Sequence, residues 1–239
     1  MSHDLSINVD IIGKVHSPYK QKFAIPRQPN LVSAAEGSIE LLLDCQQHEL
    51  VRDLEQHSHL WVLFIFHGTM AHGWKPLVKA PRLGGNKKTG VLATRSTFRP
   101  NPIGMSVVKL EGISKVNGNI CIRISGLDLL DGTPVIDIKP YIPYSDSVPH
   151  AQSDMAPAPQ SSPMTITFSD KAKQQLASLG EQYGHLALFI EQVLQQDPRP
   201  AYKKQDDTLQ EYGMSLYDLN IRWQISSQQT LVIDIEPHT

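Results

Sequence analysis

The chain has 239 residues, 40% of them hydrophobic and 19% charged, and its formal net charge is −2. This composition is typical of a soluble globular protein and excludes a largely disordered chain. The longest apolar run, at 60–66, is too short to cross a membrane, and two distant cysteines exclude a disulfide framework or a cysteine-rich zinc site.

The N-terminal part of the sequence is predicted to be a series of strands. The opening MSHDLSINVD has neither the cationic nor the apolar block of a secretory signal, which favours a cytoplasmic location. Proline and basic residues indicate a loop at 19–30, and a short helix is predicted at 46–57. The predicted strands cover 6–16, 38–44, 58–69, 90–94, 104–113, 119–127 and 134–141.

Three stretches of this N-terminal part have distinct patterns. The run at 58–69 is continuously apolar at its centre, which predicts a central strand buried on both faces. Residues 70–89 lack apolar periodicity and contain several glycines, so we expect a mobile surface loop. The sequence SKVNGN at 114–119 is a hairpin signal between two strands.

The pattern changes after residue 145. Residues 143–163 are rich in Pro, Ser and Ala and predict a linker. Helices follow at 169–180, with Ser169 as N-cap, and at 184–197, before two strands at 217–225 and 230–237. The predicted architecture is therefore a mainly β domain at 1–145, a linker at 146–163 and a small α+β domain at 164–239.

The usual nucleotide-binding and hydrolase motifs are missing from the sequence. No GxGxxG or G-x-S-x-G occurs, and Gly85 and Gly90 have P-loop spacing but are followed by Val91 and Leu92 instead of Lys and Ser or Thr. Strands also do not alternate with helices. A Rossmann-type cofactor site is therefore disfavoured.

Positive charge is concentrated in one segment. Between Glu55 and Glu111 there is no acidic residue, yet the segment holds eight of the 22 basic residues. An anionic partner at this segment is the favoured interpretation, and a solvated loop neutralised by distant carboxylates is the alternative.

A stiff cationic corner lies within ATRSTFRPNPIGMSVVKL at 93–110. Pro100 and Pro102 fix the backbone on both sides of Asn101, so Arg95, Arg99 and Asn101 form a candidate preorganised anion site. Three aspartates, Asp128, Asp131 and Asp137, are expected to converge near these arginines. Taken alone, Asp131 favours a turn-forming role, because Asp131-Gly132 is a turn pair.

Histidines cluster shortly before the corner. His57 and His59 would share one face of a strand, but no nearby carboxylate or cysteine completes a metal site, and no metal is expected. His67 with Gly68 follows a strand end, which favours either ligand binding or a loop-capping role.

Several motifs in order resemble the TsaA-like family, and within it the TrmO-type bacterial tRNA methyltransferases. The motifs are IGKVHSPY, IPRQ, HSHLWVLFIFH, ATRSTFRPNPIGMSVVKL and LDLLDGTPVIDIKPY. The resemblance implies a barrel-type, non-Rossmann domain that binds S-adenosyl-L-methionine, and a homodimer. It also implies methylation of the exocyclic amine of threonylcarbamoyl-adenosine, next to the anticodon of threonine tRNA.

The same resemblance implies the cofactor contacts, while the reaction chemistry adds candidate bases and the segment without acidic residues adds candidate tRNA contacts. The cofactor would contact Pro26, Arg27, Gln28, His67, Gly68, Arg95, Met105, Asp128, Leu129, Leu130 and Asp131. Asp128, Asp131 and His67 are the candidate general bases. We expect tRNA contacts from Lys75, Lys79, Arg82, Lys87 and Lys88, with Arg99 and Asn101 at the modified nucleotide. Tyr202, Lys203 and Lys204 of the C-terminal domain are candidates for contact with the anticodon arm, and a structural brace is the alternative role of this domain.

Two other functions remain open at the level of sequence. One is a non-catalytic RNA- or metabolite-binding module that uses the same cationic corner, and the other is a methyltransferase with a different acceptor. Asp128 and Asp131 favour catalysis, because a pure RNA binder has little use for carboxylates beside a phosphate site.

Overall fold

The computed structural model describes residues 7–79, 87–154, 164–180, 182–199, 208–226 and 229–238. Its structure is rich in strands, as predicted from the sequence. In chain order, the strands and helices of these residues are β1 (Gly13–His16), β2 (Glu36–Leu41), β3 (His59–Ile65), β4 (Leu77–Lys79), β5 (Lys88–Gly90), β6 (Ile103–Val116), β7 (Asn119–Ser125), β8 (Pro134–Pro140), α1 (Pro143–Asp146), β9 (Thr165–Phe168), α2 (Asp170–Leu179), α3 (Leu186–Gln195), β10 (Gln210–Leu216), β11 (Leu219–Ser226) and β12 (Gln229–Pro237).

Six N-terminal strands form a closed barrel in the order β1-β2-β7-β6-β3-β8, with β8 pairing back to β1. Every barrel pair is antiparallel. Alternate side chains of each strand point inward, so Val15, Leu60, Val62 and Val108 are fully buried. Apolar side chains fill the interior of the barrel, and the polar side chains available for chemistry lie at its rim.

The alternating burial corrects the prediction for residues 58–69. β3 ends at Ile65, a 3₁₀ turn follows at His67–His72, and the opposite face of the strand, with Trp61 and Leu63, is only half buried. Burial on both faces was therefore wrong, because a barrel strand has a single inward face.

The helix predicted at 46–57 was also wrong. Two short 3₁₀ turns, His48–Val51 and Leu54–Gln56, stand there, separated by Asp53 in the left-handed region at φ 64°. That backbone conformation interrupts a continuous helix.

Other predicted boundaries moved. The strand predicted at 6–16 is confined to β1, the one at 38–44 ends at Leu41, and the one at 90–94 is replaced by β5 and a 3₁₀ turn at Val91–Ala93. The predicted loop at 70–89 includes the two-stranded ribbon β4–β5, although residues 80–86 lie outside the described chain. The hairpin at 114–119 is confirmed, since Asn117 and Gly118 both have positive φ.

The C-terminal part forms a four-stranded sheet in the order β10-β11-β12-β9, with α2 packed on β12. The Ser169 hydroxyl accepts a hydrogen bond from the Ala172 amide, as expected for the predicted N-cap. The sheet has two strands more than the sequence predicted, β9 and β10. No helix among the described residues is long and apolar enough to span a membrane.

The barrel and the C-terminal sheet meet along a seam that includes the β1–β2 loop, α3 and the β10–β11 turn. The Tyr217 amide donates to the Pro18 carbonyl at 2.7 Å, and the Ala34 amide donates to the Gln192 side chain at 2.9 Å. Tyr19 is fully buried there, with its ring 5.7 Å from that of Phe189. The core is therefore continuous from one sheet to the other.

Candidate functional site

A cavity of about 550 Å³ opens at the rim of the barrel. The β1–β2 loop, the end of β3, the start of β6 and the β7–β8 turn contribute its walls. Of the predicted site residues, the cavity wall includes Pro26, Arg27, Gln28, His67, Gly68, Arg95, Met105, Asp128, Leu129 and Leu130. Four separated sequence motifs thus converge on one space, of the size expected for a small-molecule site.

The pairing of β3 with β6 forms the apolar side of the cavity. Phe64 and Phe66 line it with their rings at 5.2 Å in an edge-to-face arrangement. Gly104 lies directly against this pair, and a Cβ there would stand 2.4 Å from the Phe64 ring. Gly104 is therefore needed for the position of the aromatic wall.

Asp128 is the cavity's carboxylate. The buried Ser106 hydroxyl donates to its Oδ1 at 2.5 Å, because Ser106 occupies an inward position on β6. Burial raises the pKa of Asp128, while the Ser106 hydrogen bond and the nearby Arg95 charge offset part of that rise. A carboxylate with a raised pKa is a better proton acceptor than an exposed one.

Arg95 connects two of the motifs. Its Nη1 donates to Gln28 Oε1 at 2.6 Å, so the cationic corner is held against the loop that carries Pro26 and Arg27. The partner is a neutral amide, which does not balance the positive charge of the guanidinium beside the cavity.

Lys22 adds a cation that the sequence did not single out. Its Nζ donates to the Gly68 carbonyl at 3.1 Å, next to His67 at the 3₁₀ turn that follows β3. All three residues line the cavity.

The three aspartates expected to converge do not converge. Asp131 lies outside the cavity wall, where its carboxylate accepts from the Ser17 amide at 2.9 Å and pairs with Lys20 at 2.8 Å. Burial alone would raise the pKa of Asp131, but these two partners lower it overall. Asp137 pairs with Lys139 at 2.7 Å, also away from the cavity.

The proline corner is braced by its own arginine. Arg99 Nη1 donates to the Thr94 carbonyl at 2.8 Å and approaches the Ser96 carbonyl at 3.4 Å. Arg99 and Asn101 do not line the cavity, and Asn101 is exposed. The corner thus directs Arg95 into the cavity and uses Arg99 to hold the loop.

The basic segment extends from the cavity wall. Lys75 Nζ lies 4.8 Å from the centroid of the Phe98 ring, and Phe98 lines the cavity. Beyond it, Lys79 stands opposite Lys88 in the β4–β5 ribbon, a like-charged cross-strand pair that costs stability. Among the described residues no carboxylate lies within 4.0 Å of Lys75, Lys79, Lys87 or Lys88, while Arg82 lies outside the described residues.

Sequence reasoning missed Lys22, Ser106 and the aromatic residues Phe64, Phe66 and Phe98. Ser106 carried a detectable signal, because a serine alternates with apolar residues on the inward face of a predicted strand. Lys22 carried none, since nothing in YKQKF separates it from Lys20.

Two family models match the chain. The tRNA-methyltransferase O N-terminal domain matches residues 14–147, and the TrmO C-terminal domain matches residues 161–238. A relative from Escherichia coli strain K12, named tRNA (adenine(37)-N6)-methyltransferase, is 47% identical over 97% of this chain and 99% of its own.

A relative and a crystal structure from Pseudomonas aeruginosa are also similar. One, whose name describes an S-adenosylmethionine-dependent methyltransferase, is 46% identical over 90% of this chain and 91% of its own. The other is a crystal structure of TrmO that superposes with a TM-score of 0.80 at 41% identity, over 99% of this chain and 100% of that one.

Proposed function

The chain belongs to the TrmO family, and from that premise we propose that it is an S-adenosyl-L-methionine-dependent tRNA methyltransferase. Its acceptor is the exocyclic amine of threonylcarbamoyl-adenosine, next to the anticodon of threonine tRNA. The observation that carries the proposal is the convergence of Asp128, Arg95 and the Pro26–Gln28 loop on one cavity beside the basic segment.

The cavity fits the proposed cofactor by size and by chemistry. Phe64, Phe66 and Leu129 offer apolar surface for an adenine ring, while Asp128 can accept from ribose hydroxyls or an ammonium group. Arg27 and Arg95 supply charge for a carboxylate. When bound, S-adenosyl-L-methionine supplies an activated methyl group on a positively charged sulfur.

Methyl transfer of this kind requires an in-line approach of the acceptor nitrogen, so positioning contributes most of the rate. The acceptor amine is adjacent to a carbonyl and is a poor nucleophile until it loses its proton. We assign Asp128 as the acceptor of that proton, because it lines the cavity and has a raised pKa. His67 is the second candidate, and Asp131 is the weakest because its carboxylate is occupied outside the cavity.

The tRNA is proposed to lie along Lys75, Lys79, Lys87 and Lys88. Among the described residues, none of these four ammonium groups has a carboxylate within 4.0 Å. Lys79 and Lys88 lie on the β4–β5 ribbon and Lys75 and Lys87 lie just before its strands, an arrangement that suits a phosphate backbone. Arg82 belongs to the same proposal by sequence. Arg99 contributes by holding the corner, and the exposed Asn101 is left to contact the nucleotide.

A non-catalytic binding module is disfavoured by the buried hydrogen bond between Ser106 and Asp128, since a protein that only binds RNA has no use for it. A different acceptor would leave the cofactor side of the cavity unchanged. The experiment below separates these alternatives.

Three broader assignments complete the proposal. We place the methyltransferase domain at 1–145, a linker at 146–163 and a C-terminal domain at 164–239, in agreement with the two family-model ranges. A homodimer is proposed because Phe23, Ile103 and Met105 leave apolar surface exposed near the cavity. We propose a cytoplasmic location, because the proposed substrate is a tRNA.

The test is mass spectrometry of nucleosides from threonine tRNA after incubation with the protein and labelled S-adenosyl-L-methionine. Two tRNA samples are compared, one with the threonylcarbamoyl group and one without it. Label on the modified adenosine alone supports the proposal. Label on another nucleoside would redirect the acceptor, and cofactor binding without any transfer would favour the binding module.

A further inference from the structure

Lys22 is a cation without a matching anion at the wall of the cavity. Its ammonium is held by the Gly68 carbonyl at 3.1 Å, and no carboxylate among the described residues lies within 4.0 Å of it. A carbonyl satisfies one of its three donors and leaves the charge uncompensated.

The cavity as a whole is short of negative charge. Lys22, Arg27 and Arg95 line it, and Asp128 is its single carboxylate among the described residues. Asp128 supplies at most one negative charge against these three cations, so at least two positive charges of the wall have no matching anion among the described lining residues. The remaining cations favour a ligand that carries carboxylate.

Lys22 belongs to the side of the cavity that continues into the basic segment. It binds the 3₁₀ turn at His67–His72, whose His72 packs edge-on against Phe98 at 6.4 Å. Lys75 covers the same Phe98 ring. Gln28, Arg95 and Asp128 also line the cavity, and they are the residues assigned above to the cofactor.

We propose that Lys22 binds the carboxylate of the amino-acid substituent on the acceptor adenosine, and thereby distinguishes the modified tRNA from the unmodified one. This inference rests on the proposed function. It gives Lys22 the specificity role that the sequence assigned to Arg99, whose guanidinium the structure places on the Thr94 and Ser96 carbonyls.

The test uses two synthetic anticodon stem–loops that differ in one charge. One carries the threonylcarbamoyl group with its free carboxylate, and the other carries the methyl ester, which is neutral. The wild-type protein should methylate the free acid with a higher kcat/KM, by about 10- to 100-fold, as expected for a hydrogen bond between charged groups. Lys22→Met should lose this preference, and Lys22→Arg should keep part of it.

Lys115→Met is the matched control. Lys115 is an exposed lysine on β6, nine residues beyond Ser106 and hence about 30 Å along the strand from the cavity. This variant loses the same charge and should keep the wild-type preference.

Calorimetric titration of each variant with S-adenosyl-L-methionine identifies the source of any effect. Equal cofactor affinity in Lys22→Met, together with loss of the preference, supports the assignment. Full preference in Lys22→Met overturns it, and so does a cofactor affinity that falls as much as kcat/KM, because Lys22 would then bind the cofactor's carboxylate. A wild-type protein that methylates neither stem–loop overturns the proposed function itself.

Discussion

Polar groups are partnered differently in the cavity and in the seam between the two sheets. In the cavity, Lys22 and Arg95 keep their charges against neutral acceptors, and burial raises the pKa of Asp128. Along the seam, backbone and amide groups are paired directly, and Phe189 packs between aromatic rings.

This contrast separates stability from function. The packed rings and backbone hydrogen bonds of the seam contribute free energy of folding, even though the buried Tyr19 hydroxyl there has no hydrogen-bond partner among the described residues. A cavity with unmatched charges costs some of that free energy and regains it on binding. Substitutions at the seam should therefore lower stability and leave the site intact. Substitutions in the cavity should lower activity and leave stability intact.

The largest effect is expected from Phe189→Ala. Phe189 is 1% exposed, with its ring 5.7 Å from Tyr19 and 5.6 Å from Tyr217. Its truncation should lower the free energy of unfolding by about 3–5 kcal/mol, measured by urea titration. Leu188→Ala on the same helix is the control, because Leu188 is 46% exposed and should cost far less. A loss of cofactor affinity in the folded Phe189 variant would contradict the separation of stability from function.

Asp128→Asn should lower activity and leave stability intact. We expect kcat to fall by about 100-fold or more, as for the loss of a general base. Because the folded pKa of Asp128 is raised, the protonated carboxyl favours folding below the ordinary pKa, and this contribution is lost as pH rises through the folded value.

Asparagine mimics the protonated carboxyl, so the variant should be at least as stable as wild type at pH 7. The difference in free energy of unfolding between variant and wild type should be smaller in acid. Rates and urea titrations at both pH values check the prediction. A clear loss of stability at pH 7 would contradict it.

The double variant Lys87→Ala, Lys88→Ala tests the basic segment outside the cavity. Affinity for tRNA should fall by about tenfold at low salt. The slope of log affinity against log salt should become less negative by the amount expected for about two lost phosphate contacts. Cofactor affinity should stay at the wild-type value. An unaltered salt slope would exclude these lysines from the tRNA surface.

The smallest effect is expected from Asp131→Asn, which lies beside the seam. The variant keeps an acceptor for the Ser17 amide but loses the charge pair with Lys20, at a cost of about 1 kcal/mol in this partly exposed position. Because the folded pKa of Asp131 is lowered, this stability is present above the ordinary carboxyl pKa of about 4 and is lost as pH falls below it. Urea titrations should show a smaller difference in free energy of unfolding between wild type and the variant at pH 3 than at pH 7. An equal difference at both pH values would mean that the lost stability comes from packing.

The sequence was most informative where local chemistry determines local structure. Asn117 and Gly118 predicted their hairpin because few other residues tolerate positive φ, and Ser169 predicted its helix start through its own side chain. The motif resemblance selected ten residues that line the cavity, although nothing in their spacing shows that distant segments meet.

What the sequence could not supply depends on long-range pairing. Arg95 and Arg99 are equivalent by type and lie four residues apart, yet one reaches Gln28 and the other turns back to Thr94. Asp128 and Asp131 differ in the same way, because only the closed barrel decides which of them meets Ser106. Lys22 became a candidate only when β3 placed Gly68 beside it.

The measurement that tests the central claim most directly is calorimetric titration of S-adenosyl-L-methionine into wild type, Arg95→Ala and Arg52→Ala. Arg52 is exposed, and its one charge partner among the described residues, Glu49, is three residues away, so this variant controls for loss of an arginine. If the barrel cavity binds the cofactor, Arg95→Ala should weaken the affinity by at least about tenfold while Arg52→Ala leaves it unchanged. Wild-type affinity in Arg95→Ala would place the cofactor elsewhere and contradict the account.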